Sequence, residues 1–273
     1  NRGCHTCLKE IRYKFAKVNW FIEGDIEQQY PSIDHQILIE LIRKEVDDEP
    51  FIDLLYKYLR VGYGESNQNI TFMQKGLIQG GSLSPILSNI FMHEFDVWME
   101  DVVIPKYNKG KRKKSNPEYR KMLYDHGKAV DKSIRTTIAK DSNYCRVYYV
   151  RYVDDFLIGV NGNKAICNEI KTEILQFLKI YLLSLSLEKT HITHSTKSKA
   201  SFLGYEIKCT PIGKMQIGKN SDGILTRRTT NAQLMAPIKE VLTKLKQKGF
   251  SKGENVPTRN GKYINFPLTN ILE

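Results

Sequence analysis

Two adjacent acids, Asp154 and Asp155, break an otherwise apolar run from Val147 to Val160. The residues around them are β-branched or aromatic: Val147, Tyr148, Tyr149, Val150, Tyr152 and Val153 before, Phe156, Leu157, Ile158 and Val160 after. Such a run reads as two strands with the acids at the turn between them. Neighbouring carboxylates repel each other and lose hydration when strands close around them. A fold gains nothing from that unless a divalent cation offsets the cost. The pair therefore reads either as a metal-holding turn or as an ordinary solvated one.

A second acid-bearing strand lies upstream. Val18 to Ile26 is apolar and ends in Asp25. After Tyr30-Pro31, the stretch from Ser32 to Val46 carries Ile33, Ile37, Leu38, Leu41 and Ile42 at helical spacing, with Ser32 expected as the N-cap. A further helix is expected through Phe51–Leu59. The Gly-rich turn from Lys75 to Leu83 leads into Ser84-Pro85, where Ser at the N-cap and Pro at the first helical position signal a start. The helix that follows places Leu87, Ile90, Phe91, Phe95 and Trp98 on its apolar side. Lys164 to Leu183 reads as an amphipathic helix. Ser184 to Thr193 and Phe202 to Cys209 alternate like short strands, and a last helix is expected near Ala236 to Lys248. Helices and strands mix without a βαβ rhythm, so the class is α+β.

Charge is unevenly distributed. The formal net charge is +12 over 273 residues. Between Lys106 and Lys140 twelve Lys and Arg face three acids, a local +9, which leaves only +3 elsewhere. A concentrated cationic stretch with interleaved Tyr107, Tyr119 and Tyr124 suits a polyanion, because neutralised phosphates release counterions. The candidate RNA contacts are Lys109, Lys111, Arg112, Lys113, Lys114, Arg120 and Lys121. Five cysteines, an odd number, give no disulfide framework and read as reduced thiols. Cys4-His5-Thr6-Cys7 lacks a second pair at zinc-site distance, and His191 and His194 lie far off. No membrane-length apolar run and no signal peptide are visible. The chain starts at Asn1 without an initiator methionine and is expected to be a piece of something longer.

Acids scattered in sequence but gathered by a sheet, a Gly-rich turn before a helix, and a basic surface together fit phosphoryl transfer to a nucleotide chain. That chemistry uses two divalent ions, one activating the attacking hydroxyl and one stabilising the leaving pyrophosphate. Mg²⁺ prefers hard oxygen ligands and takes one or two carboxylates alongside substrate phosphates.

Five motifs in one order carry a resemblance. They are Glu23-Gly24-Asp25-Ile26 with Ile33-Asp34-His35, then Gln79-Gly80-Gly81-Ser82-Leu83-Ser84-Pro85, Tyr152-Val153-Asp154-Asp155, Leu187-Glu188-Lys189-Thr190 and Phe202-Leu203-Gly204-Tyr205. The chain resembles the reverse-transcriptase part of a group II intron-encoded maturase, of the organellar, mitochondrial type. The resemblance implies a right-hand polymerase palm with partial fingers, an antiparallel sheet packed on helices. It assigns residues 1–210 to fingers and palm, with a basic insertion at about 104–141, and residues 211–273 to a linker and the start of a thumb, or domain X. Cys4-His5-Thr6 resembles the end of the family's second motif, so a preceding fingers segment is expected to be missing.

The resemblance also implies roles. Asp25, Asp154 and Asp155 would hold two Mg²⁺ ions, with the Ile26 carbonyl nearby. Tyr30 would lie under the incoming sugar, and Gln79 and Gly80 would border base and template, next to Tyr152. Lys189 would sit near the pyrophosphate as a cation or proton donor. Pro31 stands where the family usually has an acid, and Ile78 where it usually has a proline. The implied partners are intron RNA, a template–primer duplex and deoxynucleotide triphosphates, within a ribonucleoprotein or a homodimer. The implied location is the mitochondrion, with a bacterial cytoplasm as the alternative. The competing reading is a catalytically decayed RNA-binding splicing factor that kept the basic surface.

Overall fold

The computed structural model describes residues 3–60, 75–127, 134, 136–138, 141–210, 216–219, 225–228 and 231–248. Lys128, Lys132, Arg135 and Lys140 of the basic stretch lie outside them, as do 211–215, 220–224, 229–230 and 249–273 of the segment 211–273 expected to be a linker and the start of a thumb. In chain order the first elements are α1 (Cys4–Lys14), a 3₁₀ turn (Phe15–Lys17), β1 (Trp20–Glu27), α2 (Gln29–Ser32), α3 (His35–Arg43), α4 (Glu49–Arg60) and α5 (Ser84–Trp98). A π-helical turn (Met99–Val103) joins α5 to α6 (Ile104–Tyr107), and α7 (Pro117–His126) follows. Then come β2 (Val147–Tyr152), β3 (Asp155–Val160), α8 (Lys164–Ile180), β4 (Ser184–Leu185), β5 (His191–His194), β6 (Ala200–Phe202) and β7 (Tyr205–Lys208). The chain continues through β8 (Gln216–Lys219), β9 (Leu225–Arg228), β10 (Gln233–Met235) and α9 (Ile238–Gln247).

β1 is the central strand of an antiparallel sheet ordered β2-β3-β1-β4. Its far edge is shared: Trp20 to Glu23 pair with β5, and Ile26 and Glu27 pair with β4. Strand alternation divides the chain's apolar residues between the two faces of this sheet. Ile22 and Ile26 of β1, with Phe156 and Ile158 of β3, pack into the large core that includes Leu38, Leu55, Phe91, Phe95, Ile170 and Ile174. Phe21, Val150 and Leu157 face the other way, into a smaller core with Ile11, Phe15, Phe202 and Ile207. The helices α3, α4, α5 and α8 thus cover one face. α1 and the β6–β7 hairpin cover part of the other. This is the α+β, sheet-on-helix architecture expected from the sequence.

Two boundaries and one helix face differ from the expected ones. Ser32 is not the N-cap of the helix after Tyr30-Pro31; it closes the four-residue α2, and Asp34 caps α3. Asp34 can do so because its carboxylate accepts from the Gln36 and Ile37 amides at 2.9 and 3.0 Å, satisfying two orphan donors at once. Ser84 is the first helical residue of α5 rather than its cap, and its hydroxyl donates to the Ile78 carbonyl at 2.7 Å. On α5, Leu87, Phe91 and Phe95 are buried, but Ile90 faces outward and is exposed. Ser88 and Met92 take the inward positions beside them, because α5 packs at a slightly rotated face.

The basic stretch contains more order than its weak periodicity implied. α7 starts at Pro117 with Asn116 as cap, its side chain accepting from the Glu118 amide, and ends on Gly127 at φ 66°. Its flanks are tied by bridges between Lys109 and Cys145 and between Ser115 and Thr137. The hairpin turn between β6 and β7 is Leu203-Gly204, both at positive φ, the backbone that two-residue hairpins favour. β10 pairs with β7, and the Ala232 amide donates to the Arg12 carbonyl, so the chain after residue 210 returns to the body of the protein.

Candidate functional site

The β1–β3 register sets Asp25 directly opposite Asp155. The β2–β3 register sets Tyr152 opposite Asp155, so Tyr152, Asp155 and Asp25 form one row across three strands. By alternation they share the face of Phe21, Val150 and Leu157, away from the helices. Asp154 lies in the intervening turn, where its carbonyl accepts from the Ile26 amide at 3.3 Å. Partial burial, then the charges of Asp154 and Asp25, push the Asp155 carboxyl up to about 6. Concentrated negative charge at a half-buried point is what a hard cation relieves.

Lys189 reaches the same place from the other edge. Its Nζ donates to Asp25 Oδ2 at 2.9 Å, and this contact raises the lysine's own pKa. The lysine is carried on a turn fastened to β1, because the Ser186 amide donates to the Asp25 carbonyl at 2.9 Å. Within the turn the Thr190 hydroxyl donates to the Ser186 carbonyl at 2.6 Å, and Lys171 Nζ donates to the Thr190 carbonyl at 3.2 Å.

Among the described residues no group of three or more His, Cys, Asp or Glu side chains is drawn together closely enough to hold an ion unaided. The three acids are adjacent without forming one ligand shell, and Lys189 supplies a positive charge between them. Asp25 and Asp155 are nevertheless two hard oxygen donors on neighbouring strands. That number suffices for Mg²⁺ when water and substrate phosphate complete the shell, so the donor set fits the ion.

The Gly-rich turn is held elsewhere. The Leu77 amide donates to the Tyr30 carbonyl at 2.8 Å and the Gly76 amide to the Ile33 carbonyl at 2.7 Å. His35 Nε2 lies 2.7 Å from the Gly76 carbonyl oxygen. Gly76, at φ 88°, leaves no room for a Cβ, which would sit 2.8 Å from the Pro31 carbonyl oxygen. Tyr30 is half-buried against the large core. Gln79 and Gly80 are exposed, and Gly80 needs no side-chain space but does adopt φ 85°. The structure therefore ties Tyr30 to Leu77, two residues before Gln79, and brings Asp25, Asp154, Asp155, Tyr152 and Lys189 beside one another. Among the described residues no hydrogen bond joins the two groups.

The basic residues stand on a separate surface. Lys109 pairs with Cys145 through its backbone, and Arg146 donates to the Lys109 carbonyl at 2.8 Å while also bonding the Gly110 carbonyl at 2.5 Å. This clasp leaves Lys109, Lys111, Arg112 and Lys114 exposed, and sets Lys113 Nζ 5.5 Å from the Tyr144 ring centre. Asp141 accepts from the Lys114 and Asn143 amides, which lower its pKa. On α7, Arg120 and Lys121 border a shallow groove with Pro117, Leu123 and Tyr124, whose ring is 91 % exposed.

Two residues escaped the sequence reading. Arg151 and Asp96 form a paired bridge behind the acid turn, with Arg151 Nε 2.8 Å from Asp96 Oδ1 and a terminal nitrogen 2.6 Å from Oδ2. The only sequence signal was Arg151 itself, a charge inside an apolar strand.

A family model described as reverse transcriptase (RNA-dependent DNA polymerase) matches residues 1–207. The chain is 40 % identical over 282 residues to the "Putative COX1/OXI3 intron 1 protein" of Saccharomyces cerevisiae, covering 96 % of this chain and 34 % of that protein. It is 34 % identical over 292 residues to the "Group II intron-encoded protein LtrA" of Lactococcus lactis subsp. cremoris, covering 98 % of this chain and 47 % of that protein. The chain thus spans about a third to a half of the length of these relatives. Among solved structures, apo telomerase from Candida Tropicalis truncated from its C-terminal domain aligns at 17 % identity with a TM-score of 0.46, covering 84 % of this chain and 40 % of that one. No described helix is long and apolar enough to cross a membrane.

Proposed function

The chain belongs to the reverse-transcriptase family, and from that membership we propose that it is the RNA-directed DNA polymerase portion of a group II intron maturase, acting in intron splicing and retrohoming. One observation carries the mechanistic part: the antiparallel register that sets Asp25 opposite Asp155, with Asp154 in the adjoining turn and Lys189 on Asp25. The substrates would be a primer on an RNA template and deoxynucleotide triphosphates. Similarity to intron-encoded proteins supports the intron assignment. The resemblance of the basic insertion to those of mitochondrial intron proteins supports a mitochondrial location.

Asp25, Asp154 and Asp155 would hold two Mg²⁺ ions, whose Lewis acidity would lower the pKa of the primer 3′-hydroxyl and neutralise the departing pyrophosphate. The protein's own part is positional. β1 and β3 hold two of the carboxylates at a fixed register, which sets where the reacting phosphate can stand. Lys189 offers a cation or a proton to the leaving group from the opposite edge. Tyr30, whose carbonyl is tied to Leu77 of the Gly-rich turn, would limit space at the sugar and favour a deoxynucleotide. The insertion's exposed lysines and arginines engage intron RNA without taking part in the chemistry.

Primer extension with Mg²⁺ tests the reading. Asp25→Ala and Asp154→Ala are each expected to abolish extension while leaving RNA affinity unchanged. Normal extension by either variant overturns the mechanism. Loss of splicing alone, with no polymerase activity in the parent protein, would favour the RNA-binding splicing factor instead.

A further inference from the structure

The acids at the turn between β2 and β3 depend on a backbone that is unfavourable on its own. Val153 sits at φ 60°, in the left-handed region. A β-branched residue there crowds its own carbonyl, so the conformation persists only where neighbours enforce it. The neighbour is Arg151. Its third guanidinium nitrogen donates to the Val153 carbonyl at 2.6 Å, while Nε and the remaining nitrogen grip both oxygens of Asp96.

The placement follows from strand alternation. Arg151 pairs with Phe156 and Tyr149 pairs with Ile158, so Arg151 and Tyr149 point to the helix-covered face, opposite to Tyr152, Asp155 and Asp25. There α5 presents Asp96 next to Phe95, whose ring packs on Tyr149 and Phe156. Tyr149 donates to Asp96 Oδ1 at 2.7 Å, adding a third bond to the same carboxylate. The Arg151 side chain is 9 % exposed. A guanidinium buried to that extent requires its partner, and the partner leaves it one rotamer from which to reach the turn.

We propose that Arg151, locked by Asp96 and Tyr149, is a positioning residue for the polymerisation reaction: it fixes the strained Val153 peptide and so aims the Asp154 and Asp155 carboxylates. The proposal rests on the polymerase reading of those acids. It assigns α5 a second task besides core packing, as the rigid support of the acid turn. Lysine cannot substitute at position 151, because a single ammonium lacks the planar fork that bonds Asp96 twice and Val153 once.

The test compares Arg151→Lys and Asp96→Asn with the parent protein, alone and combined with Val153→Gly. Three quantities are read: kcat and KM in primer extension, Mn²⁺ affinity of the protein with a nucleoside triphosphate present and no primer by electron paramagnetic resonance, and the melting temperature. The expected result for Arg151→Lys is a kcat loss of about 100-fold with the KM for nucleotide little changed, since displacement of a reacting group by an ångström costs that much. Mn²⁺ affinity falls in parallel. In the Val153→Gly background, where glycine adopts the left-handed backbone without strain, the same substitution costs at least about fivefold less than in the parent. A kcat and Mn²⁺ affinity equal to the parent's overturn the proposal. So does a loss equally large in the Val153→Gly background, which would mark a purely structural ion pair. If the polymerase reading itself fails, with no extension by the parent, Mn²⁺ affinity in the same four variants still decides whether Arg151 aims the acids.

Discussion

Lys189 Nζ lies 2.9 Å from Asp25 Oδ2, so the acid site contains its own positive charge. The lysine is largely exposed, and an exposed ion pair contributes little stability, so a divalent ion can displace it. Lys189→Ala is therefore expected to act in two directions. Mg²⁺ or Mn²⁺ binding tightens, because a competing cation is gone. Single-turnover extension is expected to slow by about 100-fold or more if, as proposed, Lys189 serves the leaving pyrophosphate as a cation or proton donor. Titration calorimetry and rapid quench measure the two effects separately. Weaker metal binding would show that Lys189 helps assemble the site rather than competing for it.

Burial, with Asp154 and Asp25 nearby, raises the Asp155 carboxyl to about 6 from an ordinary value of 3.8. In the unfolded chain that proton leaves at the lower value. Between the two the folded protein binds more protons than the unfolded one, so stability is greatest below the lower value and falls as pH rises towards 6. Asp155→Asn removes this penalty. In EDTA the variant is expected to match the parent near pH 4 and to melt higher above pH 6. Saturating Mg²⁺ should reverse the order above pH 6, since the parent alone gains a ligand for the ion. Melting curves across pH, with and without metal, read both outcomes.

How much of this was legible in the sequence depends on the range of the interaction. β1, β2 and β3 were readable because β-branched and aromatic runs need only local propensity, whereas the pairing and register that set Asp25 opposite Asp155 join residues far apart in sequence and became visible only in the fold. Asp34 was overlooked as a cap because Ser32 is an equally good cap by residue type. The choice between them depends on how Tyr30-Pro31 folds into α2 and back against Gly76. α7 was legible and missed: Asn116-Pro117 is a start signal and Gly127 a stop, but charge masked the weak periodicity between them. The Asp96–Arg151 bridge was not legible, since 55 residues and a change of element separate its ends. Nor was β10, whose pairing with β7 depends on tertiary context rather than on its own three residues.

The basic surface makes a prediction independent of the acids. Charge reversal of Lys111, Arg112 and Lys114, all exposed, is expected to weaken RNA binding and flatten its salt dependence. Tyr124→Ala is a different probe. The exposed ring beside Arg120 and Lys121 offers a stacking face for an unpaired base, a contact worth about 1–3 kcal/mol. Its loss should lower affinity without changing the salt slope, and Tyr124→Phe should retain most of it. Filter binding across a salt series separates the two classes, and an unchanged slope in the charge-reversal variant would remove the insertion from the RNA interface.

Gly24, one residue before Asp25, links core packing to the site. A Cβ at this position would stand 2.1 Å from the Phe156 ring, and that ring is buried against Phe95 with ring centres 5.4 Å apart. Phe156 follows Asp155, so a ring pushed aside moves the strand end that carries the acid. Gly24→Ala is expected to destabilise the protein by about 1–3 kcal/mol through overpacking, and to lower extension more than the stability loss alone explains. Phe156→Leu in the same chain should restore both in part by removing the atoms that clash. Denaturant unfolding and primer extension on the single and double variants decide it. A Gly24→Ala protein with parental stability would mean that β1 can shift away from Phe156, and that the close approach of the two strands does not hold Asp25 and Asp155 in place.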